Sequence, residues 1–450
     1  MKYFGTDGIR GKAYSYLNQD LAYKVGEALS LLNNRKLVIA MDTRESSRTL
    51  ADSLIHGALS VGIDVIDLDV LPTPALILES YFRKSLGVMI TASHNPYTDN
   101  GIKIVKNGLK IDDKDKMMIE DSLDGIITFS HPINGNLVKE ESTYSDFLEK
   151  YILRTNLNIV VDCANGASYK YVNVLDKMAK VKYLSINPDG KNINEGCGAT
   201  HLDYLKNNMD GYDLGIAFDG DADRIMVIDD KKNIVDGDIL IYLFAKWFKK
   251  LDLLKKDTVV LTIMSNLGII NALKDININT VLTNVGDQNV LDEMIKNGYS
   301  LGGENSGHII TPFSITGDGL LNAIILLTII SENGIKLSEL IKDIKMYPAK
   351  TVNLKVSDKT IINNDIIKGE VERIENSFGS KGKVILRPSG TEDLIRVTVM
   401  HLDSKIMEET LDKLLYLIKG EWNRWLMLLY LLQVRGQEWK LTYLNVLFPF

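Results

Sequence analysis

Lys36–Ser47 reads KLVIAMDTRESS: a continuous apolar run that ends in a polar, small-residue turn and leads into a segment of helical character. The pattern returns at Leu157–Ser168, LNIVVDCANGAS, and at Thr258–Ile269, TVVLTIMSNLGI. Continuous apolar runs of this length, rich in β-branched residues, suit strands buried on both faces of a mainly parallel sheet. Recurrence at intervals of roughly a hundred residues predicts three units of one α/β architecture. Sequence identity between the three is negligible, so only the arrangement of elements repeats.

A fourth region departs from this pattern. Gly382–Met400, GKVILRPSGTEDLIRVTVM, reads as strand, glycine-containing loop, strand, and apolar residues at helical spacing follow over 404–419. The fold class expected is therefore α/β: three similar α/β domains with mixed, mostly parallel sheets, and a C-terminal α+β domain. The divisions expected are 1–152, 153–252, 253–352 and 353–420. Residues 421–450 match none of these. They hold Trp422, Trp425 and Trp439 and the bare apolar run LMLLYLL at 426–432.

The length of 450 residues is too great for one ordinary core and agrees with several domains. Hydrophobic residues at 45% and charged residues at 25% are ordinary for a globular chain. A net charge of -7, with no basic stripe, argues against nucleic acid as a partner. An anionic ligand must instead be held by locally placed Arg, Lys, metal or backbone N–H groups. Cys163 and Cys197 are too few for a disulfide framework and suit a reducing, cytoplasmic setting. The start, MKYFGTDGIRG, lacks the apolar core of a secretory signal. No run reaches a membrane span. The nearest, GLLNAIILLTII at 319–330, is interrupted by Asn322 and Thr328 and reads as a buried helix after Gly317-Asp318-Gly319.

Five stretches can carry chemistry. Thr91-Ala92-Ser93-His94-Asn95-Pro96 follows the strand-like Leu86–Ile90, and small residues there let a loop present Ser93 at the end of a strand, where open α/β sheets bind ligands. A plain Asn-Pro turn is the competing reading. Asp219-Gly220-Asp221-Ala222-Asp223-Arg224 follows the strand-like Leu214–Phe218. Three carboxylates so close repel unless a cation sits among them, and an all-oxygen set selects a hard one, Mg²⁺ first. Arg224 adds a planar fork suited to phosphate. Gly302-Gly303-Glu304-Asn305-Ser306-Gly307-His308 places a carboxylate, a hydroxyl and an imidazole between glycines, a set able to bond sugar hydroxyls or an amine. Arg387-Pro388-Ser389-Gly390-Thr391-Glu392, with Arg396 beyond, offers guanidinium groups, hydroxyls and backbone N–H groups as a phosphate cradle. Gly5–Gly11 carries Arg10, and Asn100–Lys103 carries Lys103; alone, both are weak signals.

Taken together and in this order, the stretches resemble the α-D-phosphohexomutase superfamily over about 1–419. Further stretches, among them FGTDGIRG, MDTRESS, LPTPA, PDGKNINEGCGATH, MSNLG and TGDGLL, are similar to its bacterial glucosamine-phosphate branch. The resemblance implies four domains around a central cleft. It implies that Ser93 carries a phosphoryl group and that one Mg²⁺ per subunit lies between that group and Asp219, Asp221 and Asp223. It implies a substrate phosphate on Arg387, Ser389, Gly390 and Thr391, a sugar ring held by Glu304 and Ser306, and proton transfer assisted by Arg10 and Lys103. Arg224, His308 and Arg396 join the expected substrate-binding set. The implied reaction converts glucosamine 6-phosphate to glucosamine 1-phosphate through a 1,6-bisphosphate, with a sugar 1,6-bisphosphate as activator. Such a product feeds amino-sugar nucleotide and cell-wall synthesis. The expected partners are a small hexosamine phosphate and a second copy of the chain in a homodimer, with neither nucleic acid nor membrane. Competing readings are a mutase for mannose or glucose phosphates and a metal-dependent sugar phosphatase. Two residues depart from the superfamily pattern: Asp393 stands where proline is usual, and Gln288 where arginine is usual.

Overall fold

In the computed structural model the run that begins at Lys36 is a strand, Lys36–Met41, whose last five residues are all buried. It lies parallel to Asp64–Val70 on one side and to Leu86–Ile90 on the other. The structure describes residues 1–435 apart from 6, 131–133 and 390–392, and over 421–435 it describes the backbone only. The chain divides into two units, one of Met1–Ser265 with Ile269–Lys345, the other of Asn266–Gly268 with the chain from Met346 on.

The first unit contains three sheets. The seven-stranded sheet around Lys36–Met41 is parallel at its centre and ends in antiparallel neighbours. Asp99–Lys106 runs antiparallel to Leu86–Ile90, and Ile9–Lys12 runs antiparallel to Asp99–Lys106. Arg10 thus pairs with Gly101, and Lys103 with Met89. The second sheet has five strands, with Leu214–Phe218 parallel to Asn158–Asp162 and antiparallel to Ile225–Ile228. In the third, of four strands, Thr258–Thr262 is parallel to Asn279–Thr283 and to Gly302–Gly303. Every site loop of this unit therefore leaves the carboxyl end of a strand: 91–98 after Leu86–Ile90, 219–224 after Leu214–Phe218, and 304–308 after Gly302–Gly303. That is where a sheet with mainly parallel strands gathers its functional residues.

Two of the three recurring runs lead into α-helices, Ser47–Ser60 and Leu267–Asp275. The second leads instead into short 3₁₀ turns, Ala167–Lys170 and Val172–Lys177. Tyr169, Tyr171, Val172 and Val174 fall together there, and aromatic and β-branched residues lose side-chain freedom in an α-helix. Residues 319–330 form the buried part of the helix Gly319–Asn333. Asp318 caps it by accepting the Leu321 N–H at 2.9 Å, and Gly334 ends it in the left-handed region.

The second unit is a three-stranded antiparallel sheet in the order Ala349–Lys355, Leu394–His401, Gly382–Pro388. Ile395, Val397 and Val399 alternate on its central strand. They pack with Ile367, Ile374 and Phe378 of one helix and Met407, Leu411, Leu414 and Ile418 of the last. The last helix does not stop at 419; its backbone continues to Arg435. The rest of the tail, 436–450, lies outside the described residues. Among the described residues no helix is long and apolar enough to cross a membrane.

Candidate active site

Ser93 is 2% exposed and has φ +51°, the left-handed region, which costs an L-residue about 1–2 kcal/mol. This backbone turn points Oγ at two partners. Arg10 Nη2 donates to it at 2.9 Å, and it donates to Asp221 Oδ2 at 3.1 Å. The Ser93 N–H is taken by Thr91 Oγ1 at 2.9 Å. His94 points no donor at this hydroxyl. Burial, and then Arg224 and Arg10, push its imidazole down to about 4, so the ring is neutral near pH 7.

One oxygen from each of Asp219, Asp221 and Asp223 lies within 4.8 Å of the others, and all three side chains are buried. Gly220 makes this approach possible. A Cβ there would lie 2.6 Å from the Ser93 carbonyl oxygen, closer than real contacts allow. Lys103 Nζ reaches Asp221 at 2.8 Å, Asp7 at 3.2 Å and Asp223 at 3.7 Å. Thr73 Oγ1 adds a bond to Asp221 Oδ2 at 2.6 Å. Even so, Asp219 Oδ2, Asp221 Oδ1 and Asp223 Oδ1 are buried without a hydrogen-bond partner. Burial, reinforced by Asp223 and Asp221, pushes the Asp219 carboxyl well above the usual range. Three buried, unpartnered carboxylate oxygens, one from each aspartate, make a donor set that fits a small hard cation such as Mg²⁺.

Arg224 lies beside this cluster, its Nε 3.8 Å from Asp223 and 4.0 Å from Asp219. His308 Nε2 accepts the Gly317 N–H at 3.0 Å, which leaves the ring's proton on Nδ1, 3.6 Å from Asp223. At 4% exposure His308 thus stands behind a carboxylate of the triad. Glu304 Oε1 accepts the Gly286 N–H at 3.0 Å, and the Ser306 hydroxyl is buried without a partner among the described residues.

The phosphate-cradle residues belong to the second unit. Arg387 and Arg396 stand directly opposite each other on antiparallel strands, so their side chains share one face. Like charges in that relation destabilise a sheet, and an anion between them reverses the sign. Ser389 is buried; its N–H bonds to Leu394 O at 2.9 Å, and Lys359 Nζ bonds to its carbonyl at 3.0 Å. Gly390 and Thr391 lie outside the described residues. Asp393 is exposed, and Gln288 Nε2 bonds to Asp292 at 2.6 Å.

The sequence reading passed over several residues of the first unit that belong to the site. Asp7 ion-pairs with Arg10, Lys103 and Lys110, and Lys110 reaches Asp287 at 2.6 Å. Opposed to burial, these three cations hold the Asp7 carboxyl far below its usual range. Asp7 and Thr73 lie in quoted stretches and Asp287 directly before Gln288, but nothing in a linear pattern distinguishes them from ordinary turn residues.

The buried serine hydroxyl beside an arginine and an aspartate triad, at the carboxyl ends of the strands, fits an α/β enzyme of phosphoryl transfer. Models of the phosphoglucomutase/phosphomannomutase family match at domain I (residues 1–128), domain II (142–232), domain III (236–347) and the C-terminal domain (352–415). The chain belongs to that family. Within it, the chain is 40% identical over 442 residues to the phosphoglucosamine mutase of Halalkalibacterium halodurans, covering 93% of this chain and 99% of the relative. It is 42% identical over 443 residues to that of Clostridioides difficile, with coverage of 93% and 99%. Among solved structures it is similar to a phosphoglucomutase/phosphomannomutase family protein of Burkholderia thailandensis, with TM-score 0.79, 20% identity and coverage of 93% and 97%. It is also similar to the Aspergillus fumigatus N-acetylphosphoglucosamine mutase in complex with GlcNAc-6P and magnesium, with TM-score 0.63, 16% identity and coverage of 94% and 95%.

Proposed function

We infer that this chain is a phosphoglucosamine mutase: it interconverts glucosamine 6-phosphate and glucosamine 1-phosphate with Ser93 as phosphoryl carrier. The observation that carries this reading is the buried Ser93 hydroxyl, held between the Arg10 guanidinium and a carboxylate of an unpartnered aspartate triad. In the first half-reaction the sugar O1 attacks phosphorus on phospho-Ser93. The P–Oγ bond breaks, the O1 proton passes to the departing Oγ, and a 1,6-bisphosphate forms. After the sugar turns end for end, Ser93 Oγ attacks the 6-phosphorus, its proton passes to O6 as the P–O6 bond breaks, and the 1-phosphate departs. Sugar 1,6-bisphosphate restores any enzyme that loses its phosphoryl group.

Asp219, Asp221 and Asp223 would hold Mg²⁺, which when bound supplies charge neutralisation for the transferred phosphoryl oxygens. Arg10, always protonated, stabilises negative charge on the serine oxygen from 2.9 Å. Lys103, held charged by Asp221 and Asp7 against its burial, can give a proton but not take one, and it meets the serine hydroxyl through their shared acceptor Asp221. Glu304 and Ser306 offer a carboxylate and an unpartnered hydroxyl to the sugar. Arg387, Ser389 and Arg396 offer the second unit's phosphate cradle, for which Gly390 and Thr391 are proposed as backbone and hydroxyl donors. Arg224 and His308 complete the set, the first toward phosphate and the second as support for Asp223.

Peptide mass analysis of the active enzyme tests the carrier. Phosphate on Ser93, with near-complete loss of mutase activity in Ser93→Ala, is the expected result. Normal turnover by Ser93→Ala would refute it.

A further inference from the structure

Arg44 never touches the Ser93 hydroxyl, yet it holds the whole loop that presents it. Its side chain is fully buried, and each of its five N–H groups has a partner. Nε donates to Asp42 Oδ2 at 2.7 Å. Nη1 donates to the carbonyls of Pro96 and, at 3.0 Å, Asp99. Nη2 donates to the carbonyls of Ser93 at 2.8 Å and Asn95 at 2.9 Å. Asp42 is fixed in turn by Thr91 Oγ1 and Ser47 Oγ, both at 2.7 Å. From the second sheet's side, Asn194 Nδ2 donates to the same Ser93 carbonyl at 2.9 Å. Asn194 is itself 6% exposed and sits at φ +58°.

Three carbonyls of one loop and that of the first residue of the strand after it therefore point at a single guanidinium, and the Ser93 carbonyl is gripped from two sides. With the carbonyl fixed, φ +51° sends Oγ the other way, toward Arg10 and Asp221. A carrier serine that must give its phosphoryl group to one end of the sugar and take one back from the other gains from a backbone that does not yield between the two steps. Resting on the phosphoserine reading above, we propose that Arg44 and Asn194 are positioning residues of the phosphoryl transfer: they clamp the Ser93 peptide so that Oγ keeps one in-line position, as leaving group in the first half-reaction and as nucleophile in the second.

The test is phosphate uptake by dephosphorylated full-length protein from glucose 1,6-bisphosphate, followed by intact mass, alongside Mn²⁺ affinity and melting temperature. Arg44→Lys keeps the charge but cannot span five acceptors from one ammonium nitrogen. Its uptake rate should fall by about 100-fold, the scale of a misplacement near 1 Å, with Mn²⁺ affinity and the bisphosphate concentration for half-maximal rate little changed. Asn194→Gly tolerates the left-handed backbone and leaves all five Arg44 bonds in place, so its loss should be smaller, about tenfold. It also keeps the question open to refutation if Arg44→Lys fails to fold. Uptake at the wild-type rate in both variants would overturn the proposal. So would losses of metal affinity and melting temperature that track the uptake rate, because that is the mark of a merely structural role. Wild-type protein that takes up no phosphate would instead withdraw the phosphoserine reading, and this inference with it.

Discussion

Asp318 shows what one buried carboxylate outside the triad contributes. It caps the helix Gly319–Asn333 and accepts the Tyr144 hydroxyl at 2.6 Å. Burial pushes its carboxyl up to about 6, although the Leu321 N–H and the Tyr144 hydroxyl oppose the shift. The folded state thus binds this proton more tightly than the unfolded chain does. Its contribution to stability is present at low pH and is lost as pH rises from about 4 to about 6. Asp318→Asn removes the titration. Between those pH values the stability difference between variant and wild type should move toward the variant by up to about 3 kcal/mol. Urea unfolding across this range measures it, and a difference that does not vary with pH would contradict it. The same scale explains which site residues are legible in sequence. Ser93 and the three aspartates stand out because small residues and like charges crowd there. Arg44, Asn194 and Thr73 do not, because their roles come from partners 49, 101 and 148 positions away.

At the scale of elements, the runs at Lys36, Leu157 and Thr258 are readable as strands because burial on both faces leaves them uniformly apolar. The segments after them are less readable. The turns at 167–177 depend on packing rather than periodicity, and the helix from Ser404 runs on through Gly420, a residue with nothing within 4 Å of its Cβ position. The close crossing of Gln19–Ala28 and Ser47–Ser60 is not legible at all. A Cβ on Gly57 would lie 2.0 Å from Tyr23 O, and one on Gly26 would lie 2.2 Å from Leu54 O. These contacts are with backbone, so a methyl group can be admitted only by moving one helix. Gly57→Ala should therefore lower stability by about 1–3 kcal/mol, although alanine is the better helix former. Thermal melting checks this, and an unchanged or raised midpoint would show that the crossing is looser than described.

Across the whole molecule, a chain of net charge -7 handles an anionic substrate by local arrangement. Arg10, Lys103 and Arg224 stand close to Ser93 and the triad, and Arg387 faces Arg396 across one ladder of the second unit. The triad's unpartnered oxygens mark where a cation would offset the repulsion. Mg²⁺ at about 100 times its dissociation constant should stabilise the protein by about 2.7 kcal/mol, and chelation should remove the gain. Asp221→Asn should lose most of this response in a thermal melt, and an equal response in the variant would place the ion elsewhere. The four-part fold is legible because each part buries its own apolar pattern; the substrate is legible only through resemblance, since no residue pattern names a sugar. The sharpest check on the glucosamine-phosphate assignment is to assay the full-length protein, with Mg²⁺ and glucose 1,6-bisphosphate, on glucosamine, glucose and mannose 6-phosphates side by side. The highest kcat/KM is expected for formation of glucosamine 1-phosphate, with no accumulation of inorganic phosphate. Equal or better turnover of mannose or glucose 6-phosphate, or steady phosphate release, would contradict the assignment.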